Sequence, residues 1–140
     1  SYLFMTGEAI LRDDLGENPI DFTCADGTGI PKGTLLKLTD PRTAIAASGG
    51  GDMIAGIAAI EKVASDGQVR IAVWRKGIFD MLADGSIPIG GAVMADGTDN
   101  QVIASTGVTG AAQIGYALEA ASDGETFQVL VNVGGSGAIA

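Results

Sequence analysis

The chain repeats itself, and the repeat constrains the fold more than any other feature. Residues 22 to 67 match residues 79 to 124 at a constant offset of 57. Phe22 falls on Phe79; Ile30, Pro31 and Gly33 fall on Ile87, Pro88 and Gly90. Ala47, Ser48 and Gly50 fall on Ala104, Ser105 and Gly107, and the block Ala64-Ser65-Asp66-Gly67 recurs whole as Ala121-Ser122-Asp123-Gly124. A shared glycine carries little weight in a chain with 22 of them. An identical four-residue block in step with an IPxG block in both copies does not arise from composition. Two units of this length are too few and too long for a solenoid, whose repeats are shorter and usually number three or more. The repeat predicts one domain made of two related halves, about residues 22–77 and 79–134, within a duplicated domain spanning 22–140. At 140 residues such a domain can bury roughly two-thirds of its unfolded surface, whereas half of it alone is marginal.

The period along the chain is mostly two. Val69, Ile71 and Val73 alternate with Arg70, Ala72 and Trp74, and Phe127, Val129, Val131 and Val133 alternate with Gln128, Leu130 and Asn132. Both runs follow the repeated SDG turn, where Asp favours the turn and Gly supplies positive φ. Matching their faces takes an offset of 58, one residue more than the repeat. Further strands are expected at 35–38, 44–47, 54–60, 77–82, 92–95, 101–105 and 113–118, punctuated by Asp26-Gly27, Asp84-Gly85 and Asp96-Gly97. Only 53–64 competes as a helix, and its glycine and β-branched residues weaken it there. The expected fold is all-β: an internally duplicated β-barrel or sandwich with an extended N-terminal arm, and less than about 15% helix.

The arm is residues 1–21, outside the repeat. It opens with Tyr2, Leu3, Phe4 and Met5 and then turns charged through Glu8, Arg12, Asp13, Asp14 and Glu17. Termini fray unless tied down, but a tail without a partner has no use for two aromatics beside Leu and Met. Tyr2, Leu3, Phe4 and Met5 are therefore candidate interface residues that pack on, or add a strand to, another protein. Trp74 is a fifth candidate. It alternates onto the face opposite Val69, Ile71 and Val73, which puts it on the surface, at an interface or in a second core, with the last two preferred.

Composition excludes several functions. With 46% hydrophobic residues the chain should fold, and its longest apolar runs, such as Met53 to Ile60, are too short to span a membrane. The start lacks the basic region and long apolar core of a signal peptide, so synthesis in a cytoplasm is expected. Cys24, the single cysteine, has no disulfide partner in the chain and reads as a small buried hydrophobe. A formal charge of −9 repels phosphate backbones, so nucleic acid is not an expected partner. The chain has no histidine, which removes the commonest general base and the usual triads. The glycine clusters at 49–51 and 134–137 lack the Lys and Ser/Thr of a phosphate-binding loop. Asp96, Asp99 and Asn100 lack the acidic spacing and closing Glu of an EF-hand and read as a hairpin turn. Asp13-Asp14 and the Asp66/Asp123 pair read as structural. No catalytic, cofactor-binding or metal-binding residue is expected, and the protein is not expected to be an enzyme.

The ordered features resemble the capsid cement, or head decoration, proteins of tailed phages and related viruses. The resemblance runs through Gly33-Thr34-Leu35-Leu36-Lys37-Leu38, Ile54-Ala55-Gly56-Ile57-Ala58-Ala59, residues 64–73 and Trp74-Arg75-Lys76-Gly77-Ile78-Phe79. That order is similar to the core of the small lambdoid head decoration protein. The second half, with Ile87-Pro88-Ile89-Gly90-Gly91-Ala92-Val93 and Ile114-Gly115-Tyr116-Ala117, is similar to larger members. The small lambdoid protein holds one copy of what occurs here twice. The resemblance implies a structural protein on the capsid exterior of the virion, with the major capsid protein and its own copies as partners. Family members are usually trimeric and sit where capsomers meet, the N-terminal segment engaging the shell. Binding only the expanded lattice would stabilise that state by linkage. The competing readings are a carbohydrate- or receptor-binding β module of a fibre and a self-assembling shell or tube subunit.

Overall fold

The structure, a computed structural model, describes residues 7–49, 52–96, 100–105 and 112–133. These form β1 (Ile10–Asp13), β2 (Ile20–Thr23), β3 (Leu35–Asp40), β4 (Thr43–Ala46), β5 (Ile54–Ala58), β6 (Arg70–Trp74), β7 (Lys76–Leu82), β8 (Ala92–Ala95), β9 (Val102–Ala104), β10 (Gln113–Ala117) and β11 (Thr126–Asn132). No described residue is in an α-helix, and the segment that competed as a helix carries β5.

The strands make two units of one connectivity. In the first, the order is β2-β4-β3-β5-β6, closed into a barrel because β2 pairs with both β4 and β6. In the second, β7-β11-β10-β8-β9 follow the same neighbours in the same sequence order, and β1 adds to the outer edge of β7. The two ends of this second unit meet in one parallel bridge, Ala83 to Val102, as the first unit closes through the single parallel pair Thr23 to Thr43. Phe22 and Phe79 sit opposite Ile71 and Val129, so the last strands correspond at the expected offset of 58. The two IPxG blocks form the same turn. Thr34 and Gly91 donate to Pro31 and Pro88, and Gly33 and Gly90, both with positive φ, donate to Ala58 and Ala117.

Two expectations are corrected. Residues 10–13 of the arm are a strand of the six-stranded sheet, and β2 begins at Ile20, ahead of the expected boundary. Both segments are four residues long and mostly exposed, so they lack the alternation that marks the other strands. The repeated ASDG blocks share a loop but not a position. Ile30 bridges Lys62 while Ile87 bridges Ala121, and Ser65, with φ 60°, occupies the place of Gly124, with φ 82°. The strands slide to match: Leu36 faces Gly56, whereas Val93 faces Gly115. A slip of two residues keeps every side chain on its own face, as the pleat requires.

The core divides along these lines. Phe22, Cys24, Leu36, Ala44, Ala55, Ile71 and Val73 fill the first barrel. On the opposite faces of β3 and β5, Leu35, Ile54 and Ile57 join Phe79, Met81, Val93, Ile114, Phe127, Val129 and Val131 in a larger cluster that binds the units together. Strand β5 is thus buried on both faces along its length, which accounts for its continuous small and apolar run, and β3 is buried on both faces only at Leu35 and Leu36.

Candidate functional site

The junction of the two units is built around one side chain. Asn100 lies in the hairpin between β8 and β9 with φ 58°, matching Arg42, φ 49°, between β3 and β4. The Oδ1 atom of Asn100 accepts from the Leu35 amide at 2.7 Å. Its Nδ2 donates to the carbonyls of Gly33 and Gly7, each at 2.9 Å. One amide therefore ties the second unit to the first and holds Gly7, the first described residue, against them. The Ala9 amide adds a bond to the Gly33 carbonyl at 2.9 Å.

Beside this anchor lies a groove of about 460 Å³ walled by residues 8–11, Lys32, Ala59 and Trp74. Trp74 reaches it because Ile71 and Val73 turn into the first barrel and leave the alternate face outward. The indole is half-buried and packs on the larger core cluster, so the structure places Trp74 between a second core and the groove. Ile10, 57% exposed, continues the apolar surface along β1. Arg12 pairs with Asp80 at 2.8 Å and fastens β1 to β7 on its exposed side. Tyr2, Leu3, Phe4 and Met5 lie outside the described residues.

Charge is arranged differently in the two units. In the first, the Lys62 side chain is wholly buried, its Nζ donating to Asp66 Oδ1 at 2.7 Å, Val63 O at 2.7 Å, Asp26 O at 2.9 Å and Asp26 Oδ1 at 3.3 Å. Burial works to lower the Lys62 pKa, but the bonds and charges of Asp66 and Asp26 outweigh it and hold it above its ordinary value. The bond from Lys62 in turn holds the Asp66 carboxyl below its usual range, helped by the Gln68 amide. In the second unit, buried Ala121 stands in the place of Lys62. There the hydrogen bond and charge of Asp96, with burial and Asp123, push the Asp84 carboxyl up. Asp123 itself accepts from the Gly85 amide at 2.8 Å. No group of three or more metal-ligating side chains occurs among the described residues. Cys24 is buried in the first barrel, where desolvation raises its thiol pKa. Neither feature assembles a nucleophile with a base.

Sequence reasoning passed over Lys62, and it placed Asn100 in a hairpin turn without finding its anchoring bonds. Asn100 had a signal, a left-handed-tolerant residue in a turn. Lys62 had none, since a buried lysine looks like any other in sequence.

The profile of a family described as phage cement protein matches residues 15–133. No curated protein matches the sequence significantly. Among solved structures, the fold is similar to the N base of the head fibre gp8.5 in bacteriophage phi29. That likeness has a TM-score of 0.55 and 15% identity, and covers 81% of this chain and 93% of the other.

Proposed function

The chain belongs to the phage cement protein family, a class of structural virion proteins, and we propose that it decorates and stabilises the outer surface of an icosahedral capsid by binding between capsomers. The observation that carries this reading is the family match across nearly all of the described duplicated domain. The arm, Tyr2 to Met5, engages the shell, and the protein acts as a homotrimer made in the host cytoplasm. Three arms on one trimer make attachment multivalent, so weak single contacts hold firmly. The net charge of −9 keeps an apolar-rich protein dispersed and disfavours nucleic acid. None of this needs an active site.

The fold shared with a head fibre base favours a second reading, in which the domain seats a fibre with a receptor- or carbohydrate-binding role. Sedimentation separates these readings from a shell or tube subunit. The isolated protein should remain a small oligomer and should pellet with expanded heads but not with unexpanded ones. Polymerisation without heads, or equal binding to both head forms, would overturn the proposal.

A further inference from the structure

We propose that a second copy of this chain docks on the outer face of the six-stranded sheet, the two sheets packing face to face about a two-fold axis. Strand register sets one apolar side chain from each of four neighbouring strands in a row across this face. Ala92 stands opposite Tyr116, Tyr116 opposite Leu130, and Leu130 opposite Ile78. The residues next to them along the strands, such as Val93, Ala117, Val129 and Phe79, turn into the core, so the row lies on the side away from it. Tyr116 is 43% exposed and the other three are partly buried. The repeat shows what kind of partner such a row takes. Ala92 and Tyr116 hold the places of Leu35 and Ile57, which also stand opposite each other, and those two are buried against the other unit of the same repeat. The counterpart row is apolar too but lies open at Tyr116, and a second copy supplies a repeat unit to cover it.

The flanks of the row are self-complementary. Two residues to one side along β7 and β11 stand Lys76 and Asn132, and two residues to the other side stand Asp80 and Gln128, each couple being cross-strand neighbours on the same face. A two-fold axis along the row lays each strand over its own copy in the reverse direction. Tyr116, Leu130 and Ile78 then meet their own counterparts, while Lys76 meets the partner's Asp80 and Asn132 the partner's Gln128, twice over. Arg12 holds Oδ2 of Asp80 at 2.8 Å from the β1 side and leaves Oδ1 for the ammonium. Such pairing closes at two copies, so a homotrimer uses other surfaces, and the contact does not rest on the capsid reading.

Ala92→Cys marks one end of the row without removing its bulk, and Cys24 is buried, so a thiol reagent reads this face. In the isolated protein a short bis-maleimide should join Ala92→Cys copies into a covalent dimer, because facing residues of sheets stacked about 10 Å apart lie within its reach. Adding Lys76→Asp or Tyr116→Asp, both at exposed positions, should slow that joining about tenfold or more with the far-ultraviolet β signal intact, since each sets like charges face to face. Lys32→Asp, the same charge change outside this face, should leave the rate unchanged. On the unaltered chain a zero-length carbodiimide should link Lys76 to Asp80 between copies, a bond one chain cannot make with the two about 13 Å apart along β7. Failure of Ala92→Cys copies to join, unchanged rates in Lys76→Asp and Tyr116→Asp, an equal fall in Lys32→Asp, or a carbodiimide-linked dimer without the Lys76–Asp80 bond would each overturn the proposal.

Discussion

The two units share connectivity and differ in how each is finished. The first closes on itself through β2 and β4 and neutralises its turn carboxylates with a buried ammonium. The second gathers Asp84, Asp96 and Asp123 without a lysine in the place of Lys62, takes β1 onto its outer edge, and seats itself against its partner through its own Asn100. Duplication supplied two copies of one solution, and the second copy shows which parts of that solution tertiary contacts can replace.

The largest expected effect tests whether the slipped strands are equivalent at all. A Cβ on Gly56 would collide with the Trp74 carbonyl, and one on Gly115 with the Leu130 carbonyl. Gly56→Ala and Gly115→Ala should each cost about 3 kcal/mol or more in urea unfolding. Gly56 should be the worse by about 1 kcal/mol, because its φ of 148° also disfavours a side chain. A tolerated alanine at either site would break the correspondence between β5 and β10.

Lys62→Met should come next, lowering the unfolding midpoint by leaving Asp26 and Asp66 facing each other without their cation. The pH dependence fixes the sign. Lys62 is raised, so its contribution is complete below its unfolded pKa and is lost only as pH climbs through the folded value. Asp66 is depressed, so its contribution holds above its unfolded pKa and is lost as pH falls through the folded value. The deficit in Lys62→Met should therefore shrink in strong acid. An equal deficit at all pH values would make Lys62 a packing residue only.

Much of this architecture is legible in sequence, and the parts that are not have physical reasons. Alternation located β6, β7 and β11 because one face of each is buried, and it put Trp74 outside the first barrel. The short, exposed β1 and β2 leave no such trace. Turn chemistry is local, so the repeated SDG signalled a loop in both halves but could not reveal the two-residue slip between them. Which lysine goes inside depends on carboxylates brought together by folding, and a groove between β1 and Trp74 exists only once β1 has paired with β7.

Asn100→Ala should cost about 2 kcal/mol, since it removes the side-chain acceptor of the Leu35 amide and one donor from the Gly7 carbonyl, while the Gly33 carbonyl keeps the Ala9 amide. The matching Arg42→Ala, which loses an exposed bond to the Asp21 carbonyl at 2.8 Å and the contact over Phe22, should cost less, about 0.5–1 kcal/mol. Similar losses at both would erase the difference between the two hairpin tips.

The smallest effect concerns the acidic seam. Because Asp84 is raised, folding gains stability as pH falls through its folded value toward the ordinary carboxylate range, before the first barrel begins to lose Asp66. Mild acidification should raise the thermal midpoint slightly. Asp96→Asn should show that gain already at neutral pH and lose the rise. Ala121→Lys, which offers the second unit a cation, sharpens the same point: a stabilisation confined to neutral pH would show that the two loops solve one electrostatic problem in two ways.

The proposed attachment to the shell runs through the arm. Deleting residues 1–17 would remove β1 together with the arm, so residues 1–6 are the segment to remove. Electron microscopy of expanded heads incubated with the full chain should show ordered density between capsomers. The chain lacking residues 1–6, its β signal intact, should leave those positions bare. Full occupancy by the shortened chain would contradict attachment through the arm and place the attachment surface in the duplicated β domain.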